Sequence, residues 1–265
     1  MSRYQHTQAK WDYLHYTSPE AYSKAIGDAL PHSRYTSDNP QVKRAMHMLV
    51  HGNPDTTRLV AKIHDAVTDR IVTPKRELSL SPAGFMPCVP AYLAGHPEAM
   101  YTQSRTSDQY APIRIILNVS TSSGLAESVI AARGAAMLAL LDKLSNVRAV
   151  TAQFLKVGKL EAVDKWLAIL VDIPMPLVLG PTGALLAHAN VTRHASWCIA
   201  SAHWSTSRSV GDYMPDFDEP SHAEYREILS LSESDIVIRG AYLTSPMYDV
   251  PSAIAWVEAR LAELT

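Results

Sequence analysis

The chain reads as an α/β protein of three layers built on a mainly parallel sheet, with a helical N-terminal extension, and three stretches carry that reading. Ile113 to Val119 is a short, nearly continuous apolar and β-branched run, as expected of a central strand buried on both faces. Leu125 to Leu144 is rich in Ala and Leu and contains no proline, which predicts a long helix. Val147 to Leu155 offers a second strand, and strand, helix and strand at this spacing make a βαβ unit whose strands a right-handed crossover renders parallel. The expected division is residues 1–77 for the extension and 78–265 for the α/β domain.

The elements follow in order. Ser18-Pro19-Glu20 supplies an N-cap, a proline at the first helical position and an early acid for a helix over Ala21 to Leu30. Asp38-Asn39-Pro40 starts a second, in which Val42, Ala45, Met46, Leu49 and Val50 fall on one face before Gly52-Asn53-Pro54 ends it. Asp55 or Thr56 caps a third, striped by Leu59, Val60, Ile63, Ala66, Val67 and Ile71. Leu78 to Leu80 is too short to assign, and the prolines and glycines from Pro82 to Pro97 predict mostly loop. Gly134, mid-helix, implies close packing of that helix on a sheet, since glycine there costs about 1 kcal/mol in propensity. Leu160 to Leu170 predicts a helix with Trp166 on its apolar face, ended by Pro174 and Pro176. Leu177 to Ala189 and Trp197 to Ala202 fit either helix or strand. Asp216 to Glu224 reads as an acidic loop entering a short helix, Ile236 to Ile238 as a last strand, and Pro251 to Leu264 as an amphipathic helix with Ile254, Val257 and Leu261 on one face.

Composition narrows the function classes. The 265 residues carry 24 Lys and Arg against 26 Asp and Glu, a formal charge of −2 that lacks the bulk signature of a nucleic-acid or membrane coat. Two cysteines, Cys88 and Cys198, form no framework and suit a reducing compartment. The start, Met1 to Tyr16, does not resemble a signal peptide, and no apolar run approaches the ~20 residues that span a bilayer.

The candidate site follows the first strand. Asn118-Val119-Ser120-Thr121-Ser122, then a glycine and a long apolar helix, resembles the start of a von Willebrand factor A domain, where a strand ends in Asp-x-Ser-x-Ser. The resemblance implies a von Willebrand A-like, Rossmann-like sheet holding a divalent cation at its carboxyl edge. Asn118 then matches the acid, Ser120 and Ser122 match the hydroxyls, and Asp172 is a candidate for the later acidic ligand. The neutral Asn118 removes one charge from a site whose affinity depends on charge count, so the site reads as degenerate. No cofactor is expected, Mg²⁺ or Mn²⁺ being the alternative. As plain local structure, the same residues make an Asx turn and a helix cap. A second resemblance rests on Cys88-Val-Pro-Ala-Tyr-Leu-Ala-Gly-His-Pro-Glu-Ala-Met100, Ala131-Ala-Arg-Gly-Ala-Ala136 and Ser234-Asp-Ile-Val-Ile238. Over roughly residues 78 to 264 these look like a bacteriophage and prophage protein family of unknown function, which implies the host cytoplasm and no particular activity.

Other groupings lack complete chemistry. His188, His194, Cys198 and His203 offer imidazole and thiolate, but their spacing matches no zinc motif, and Trp197 and Trp204 between them favour packing. Asp212, Asp216, Asp218 and Glu219, bracketed by Pro215 and Pro220, read as a solvated loop sooner than a Mg²⁺ site. Gly180-Pro181-Thr182-Gly183 lacks the lysine of a phosphate loop, and no nucleophile elbow occurs. The aromatic N-terminus (Tyr4, Trp11, Tyr13, Tyr16) suggests a gripped partner protein. The sequence thus favours an adaptor or assembly protein, not an enzyme, that engages other protein chains including copies of itself. A nucleic-acid-processing factor or metal-assisted, nuclease-like enzyme is the second class; no membrane partner is expected.

Overall fold

The structure is a computed structural model and describes residues 4–8, 11–33, 39–67, 76–84, 86–105, 112–121, 124–146, 148–160, 165–204, 225–226, 229–240 and 247–264. Ile71, Asp38 and the acidic stretch from Asp212 to Glu224 lie outside these residues. The architecture is α/β, with a six-stranded sheet between two unequal covers.

The chain opens with two strands, β1 (Tyr4–Gln8) and β2 (Trp11–Tyr16). Three helices follow: α1 (Pro19–Ala29), α2 (Pro40–His51) and α3 (Pro54–Ala66). Each begins with a proline whose missing N–H is no loss there. Ser18 Oγ caps α1 through Ala21 N at 3.1 Å, and Asn39 Oδ1 caps α2 through the amides of Gln41 and Val42. Asn53, not Asp55 or Thr56, caps α3, because Pro54 takes the first helical position and leaves the Asp55 amide for the Asn53 side chain.

An antiparallel arm comes next, made of β3 (Arg76–Ser81), β4 (Met86–Pro87), the short α4 (Val89–Leu93) and β5 (Met100–Arg105). The stretch from Pro82 to Pro97, expected as mostly loop, holds the two-residue β4 and the five-residue α4, while β3, over the unassigned Leu78 to Leu80, pairs with β5 over six residues. The predicted βαβ unit is present as β6 (Ile113–Asn118), α5 (Glu127–Ser145) and β7 (Val150–Leu160), with β6 and β7 parallel.

The segment expected as a helix around Trp166 is a strand, β8 (Lys165–Ile173), antiparallel to β7. Its apolar run has no helical period, and β-branched Ile169, Val171 and Ile173 alternate toward one face. The two ambiguous segments are helices, α6 (Leu179–Ala187) and α7 (Ser196–His203), joined through a π-helical turn at Asn190–Ala195. Strand β9 (Ile236–Ile238) and helix α8 (Val250–Leu264) complete the fold.

The strand order is β1-β2-β8-β7-β6-β9, with β2–β8, β6–β7 and β6–β9 parallel and β1–β2 and β7–β8 antiparallel. One face, with Leu14, Ile115, Phe154 and Ile169, shares a continuous core with α1, α2, α3, α5, α6, α7 and α8. The other face, with Tyr13, Ile116, Leu155 and Leu170, packs, among the described residues, against Tyr225, Leu229 and Leu231. The core on the helical face draws on residues from both sides of position 77, so the helical N-terminal extension packs against the α/β sheet. Of the N-terminal aromatics, Tyr16 joins this core, and Tyr13 and Trp11 join the core on the other face. Trp11 stacks on Trp166 at 5.1 Å, and Tyr13 and Tyr16 are buried. Gly134 does pack closely, but on α6: a Cβ there would lie 2.4 Å from Ala187 Cα and from Leu186 O.

Candidate functional site

The carboxyl end of β6 is closed by its own chain. Asn118 is 0% exposed; its Oδ1 accepts from the Ser120 amide at 2.9 Å and its Nδ2 donates to the Tyr225 hydroxyl at 2.7 Å. Ser120 Oγ accepts from Val157 N at 2.9 Å and donates to Val157 O at 3.3 Å, so the hydroxyl extends the sheet toward β7. The turn is thus an Asx turn stitched to the neighbouring strand. Thr121 is also buried, and Ser122 lies outside the described residues.

Asp172 does not join this group. In register it is level with Gln153 and Ile116, two strands from β6 and two residues short of Asn118. Its Oδ1 accepts from Gln153 Nε2 at 2.6 Å and is 2.8 Å from His15 Nε2. Gln153 in turn accepts from Arg114, making a polar row across β2, β8, β7 and β6. The helical histidines and cysteine separate too. His203 lies 3.3 Å from Asp12, His188 Nδ1 accepts from Asn190 N, and Cys198 is buried in the core with its thiol pushed up by burial. Among the described residues no group of three or more His, Cys, Asp or Glu side chains could hold a metal ion. The acids from Asp212 to Glu219 fall outside them.

What gathers at this edge is cationic. Arg133, 2% exposed, donates from Nη1 to the Asn118 carbonyl at 3.0 Å and from Nη2 to the Arg239 carbonyl, tying the ends of β6 and β9 together. Lys156, 3% exposed, sits one residue beyond the register partner of Asn118 and faces the helical side. Burial, with a smaller contribution from Arg193, pushes its amine down to about 7. Arg193 donates to the Leu125 carbonyl at the entrance to α5.

Beside this edge lies a cavity of 390 Å³, between β9 and the α5–α8 pair. Arg133 forms part of its wall, with the exposed Arg226, Arg239 and Arg260 and, among the described residues, one acid, Asp235. Leu140, Met247 and Trp256 supply apolar surface.

The arm offers the opposite chemistry. Tyr92 and Leu93 are 72% and 79% exposed, and Met86 and Val89 beside them in sequence are exposed as well. Beneath them the arm is held by the Cys88 amide on the Ala99 carbonyl at 2.7 Å.

Sequence reasoning missed Arg133, Lys156, Tyr225 and the three further arginines. Arg133 carried a signal, a charge inside an otherwise apolar Ala/Leu helix; Lys156 carried one too, inside a strand. Tyr225 carried none, since its contact with Asn118 spans 107 residues.

Residues 16–147 match a family described as a domain of unknown function (DUF7192). That stretch runs from the end of β2 through α5, across position 77. No curated protein and no solved structure matches the chain. Among the described residues no helix is long and apolar enough to cross a membrane.

Proposed function

We propose that the protein is an assembly or adaptor protein that docks onto other protein chains through the β3–β4–α4–β5 arm, its first partner being a second copy of itself. The observation that carries this is the exposure of Tyr92 and Leu93, with Val89 and Met86, on one short stretch of the arm. Large apolar side chains grouped on a surface mark interaction sites, because water contact with them is unfavourable and a partner removes it. The arm's sheet adds a polar reason. Among the described residues its order, β3-β5-β4, leaves β3 on the edge, and β4 pairs with Met100 and Tyr101 of β5. An open antiparallel edge pairs with its own copy about a two-fold axis, which is why a second chain of the same kind fits it.

The setting we infer is the host cytoplasm of a bacteriophage or prophage. What supports a reducing compartment is that both cysteines are free thiols.

The test is light scattering of the full chain at micromolar concentration, alongside a Tyr92→Glu/Leu93→Glu variant. The expected result is a dimer or larger assembly that the double substitution returns to monomer with its secondary structure and cooperative unfolding retained. A monomeric parent protein, or association that survives the substitution, would overturn the reading.

A further inference from the structure

We propose that the cavity between β9 and the α5–α8 pair binds a nucleoside phosphate, a function separate from docking through the arm. Its volume, 390 Å³, falls near the lower end of the roughly 300–1,000 Å³ of small-molecule sites, enough for one nucleotide and too small for an oligonucleotide. Among the described residues four arginines and one aspartate line it, and although Arg260 also pairs with Glu263 beyond the lining, the balance of charge favours an anion. Guanidinium forks match phosphate oxygens in pairs, and several of them suit a phosphate dianion better than a single carboxylate. The arginines are also arranged in depth. Arg133 is buried and held by the carbonyls of Asn118 and Arg239, while Arg226, Arg239 and Arg260 are exposed.

The remaining wall suits a planar, apolar body. Trp256 contributes an indole, and the Arg260 guanidinium lies 5.9 Å from its ring centroid, so one arginine borders both an aromatic surface and the cationic group. Bases stack on such surfaces whatever their identity. Leu140 and Met247 complete an apolar wall that inorganic phosphate would leave in contact with water. Ligand recognition therefore needs both halves: the anion for the arginines and the base for the indole.

The experiment titrates the full chain with AMP, GMP, CMP and UMP separately, following calorimetric binding and thermal unfolding. At about 1 mM at least one nucleotide is expected to raise the melting temperature by several degrees. The matching nucleoside and inorganic phosphate should each bind at least about tenfold more weakly. Arg226→Gln/Arg260→Gln, at exposed positions, should keep the unliganded melting temperature and lose at least about tenfold in affinity. Trp256→Leu should lose the preference for nucleotide over phosphate. The proposal is overturned by the absence of binding for all four nucleotides, by phosphate binding as tightly as nucleotide, or by unchanged affinity in the double variant. An oligomeric state unchanged by nucleotide leaves the docking reading intact, so the two fail separately.

Discussion

Asn118 shows how a residue type that invites a ligand can be occupied by the fold. Its amide donates to Tyr225 and its oxygen accepts from Ser120, while the Ser120 hydroxyl is engaged by Val157 on both its donor and acceptor sides. A carboxylate at this position would lose the donor to Tyr225 and bury a charge. Asn118→Asp is therefore expected to destabilise the protein by about 1–3 kcal/mol, and millimolar Mg²⁺ should not restore the loss. Melting with and without the cation checks this; a rise of several degrees with Mg²⁺ would show that oxygen ligands do converge there. Lys156 is the second residue whose chemistry the fold has changed. Its amine titrates near 7 when folded and near 10.5 when unfolded, so between those values the unfolded chain binds the additional proton. Stability from this group therefore climbs as pH rises through that window and is lost as pH falls toward 7. Lys156→Met should raise stability at pH 7 by a few kcal/mol, on the order of other buried-charge replacements, and flatten the dependence between pH 7 and 9. Urea unfolding across that range measures it, and a parent protein whose stability is level with pH would contradict it.

At the scale of elements, the packing of α5 on α6 depends on Gly134. Alanine would gain about 1 kcal/mol in helix propensity, but its Cβ would meet backbone atoms of Leu186 and Ala187 at 2.4 Å. Backbone cannot rotate away as a side-chain tip does, so the clash decides the sign. Gly134→Ala should destabilise by roughly 2 kcal/mol or more, read as a lower urea midpoint with an unchanged slope. A neutral or stabilising result would mean that the two helices separate easily. Strand β8 illustrates the other side of element formation. Its residues Trp166 to Val171 are apolar at nearly every position, and only pairing with β7 and β2 makes them a strand. Once paired, Trp166 meets Trp11 and the alternate residues divide between two cores.

For the whole molecule, the N-terminal third decides whether the sheet is covered. Strand β2 pairs along the whole of its length with β8, and α1, α2 and α3 bury Tyr22, Leu49 and Ile63 in the core shared with α5 and α7. A chain beginning at residue 78 would expose that core and leave β8 with an open edge. It is expected to lack a cooperative thermal transition and to aggregate, whereas the full chain melts in one step. Differential scanning calorimetry distinguishes the two; a cooperative melt of residues 78–265 would support the division at position 77.

The features legible in the sequence are those in which neighbours along the chain determine the outcome. Proline after a capping residue starts α1 and α2, alternating or continuous apolar runs form β6 and β9, and a proline-free Ala/Leu stretch forms α5. The helices' hydrogen bonds close within a few residues, and the burial of the strands follows from their composition even though their ladder partners, β6 for β9 among them, lie far along the chain. Other features depended on contacts distant in sequence. Strand β2 finds β8 across about 150 residues, Asn118 finds Tyr225 across 107, and the arginines of the cavity come from α5, α8 and the segments flanking β9. Trp11, Tyr13 and Tyr16, three of the four aromatic residues that suggested a gripping N-terminus, pack on the chain's own sheet, because a Trp or Tyr carries the same apolar surface whether its partner is another chain or its own. Which of the two it meets is decided by topology, and topology is set only when the whole core closes.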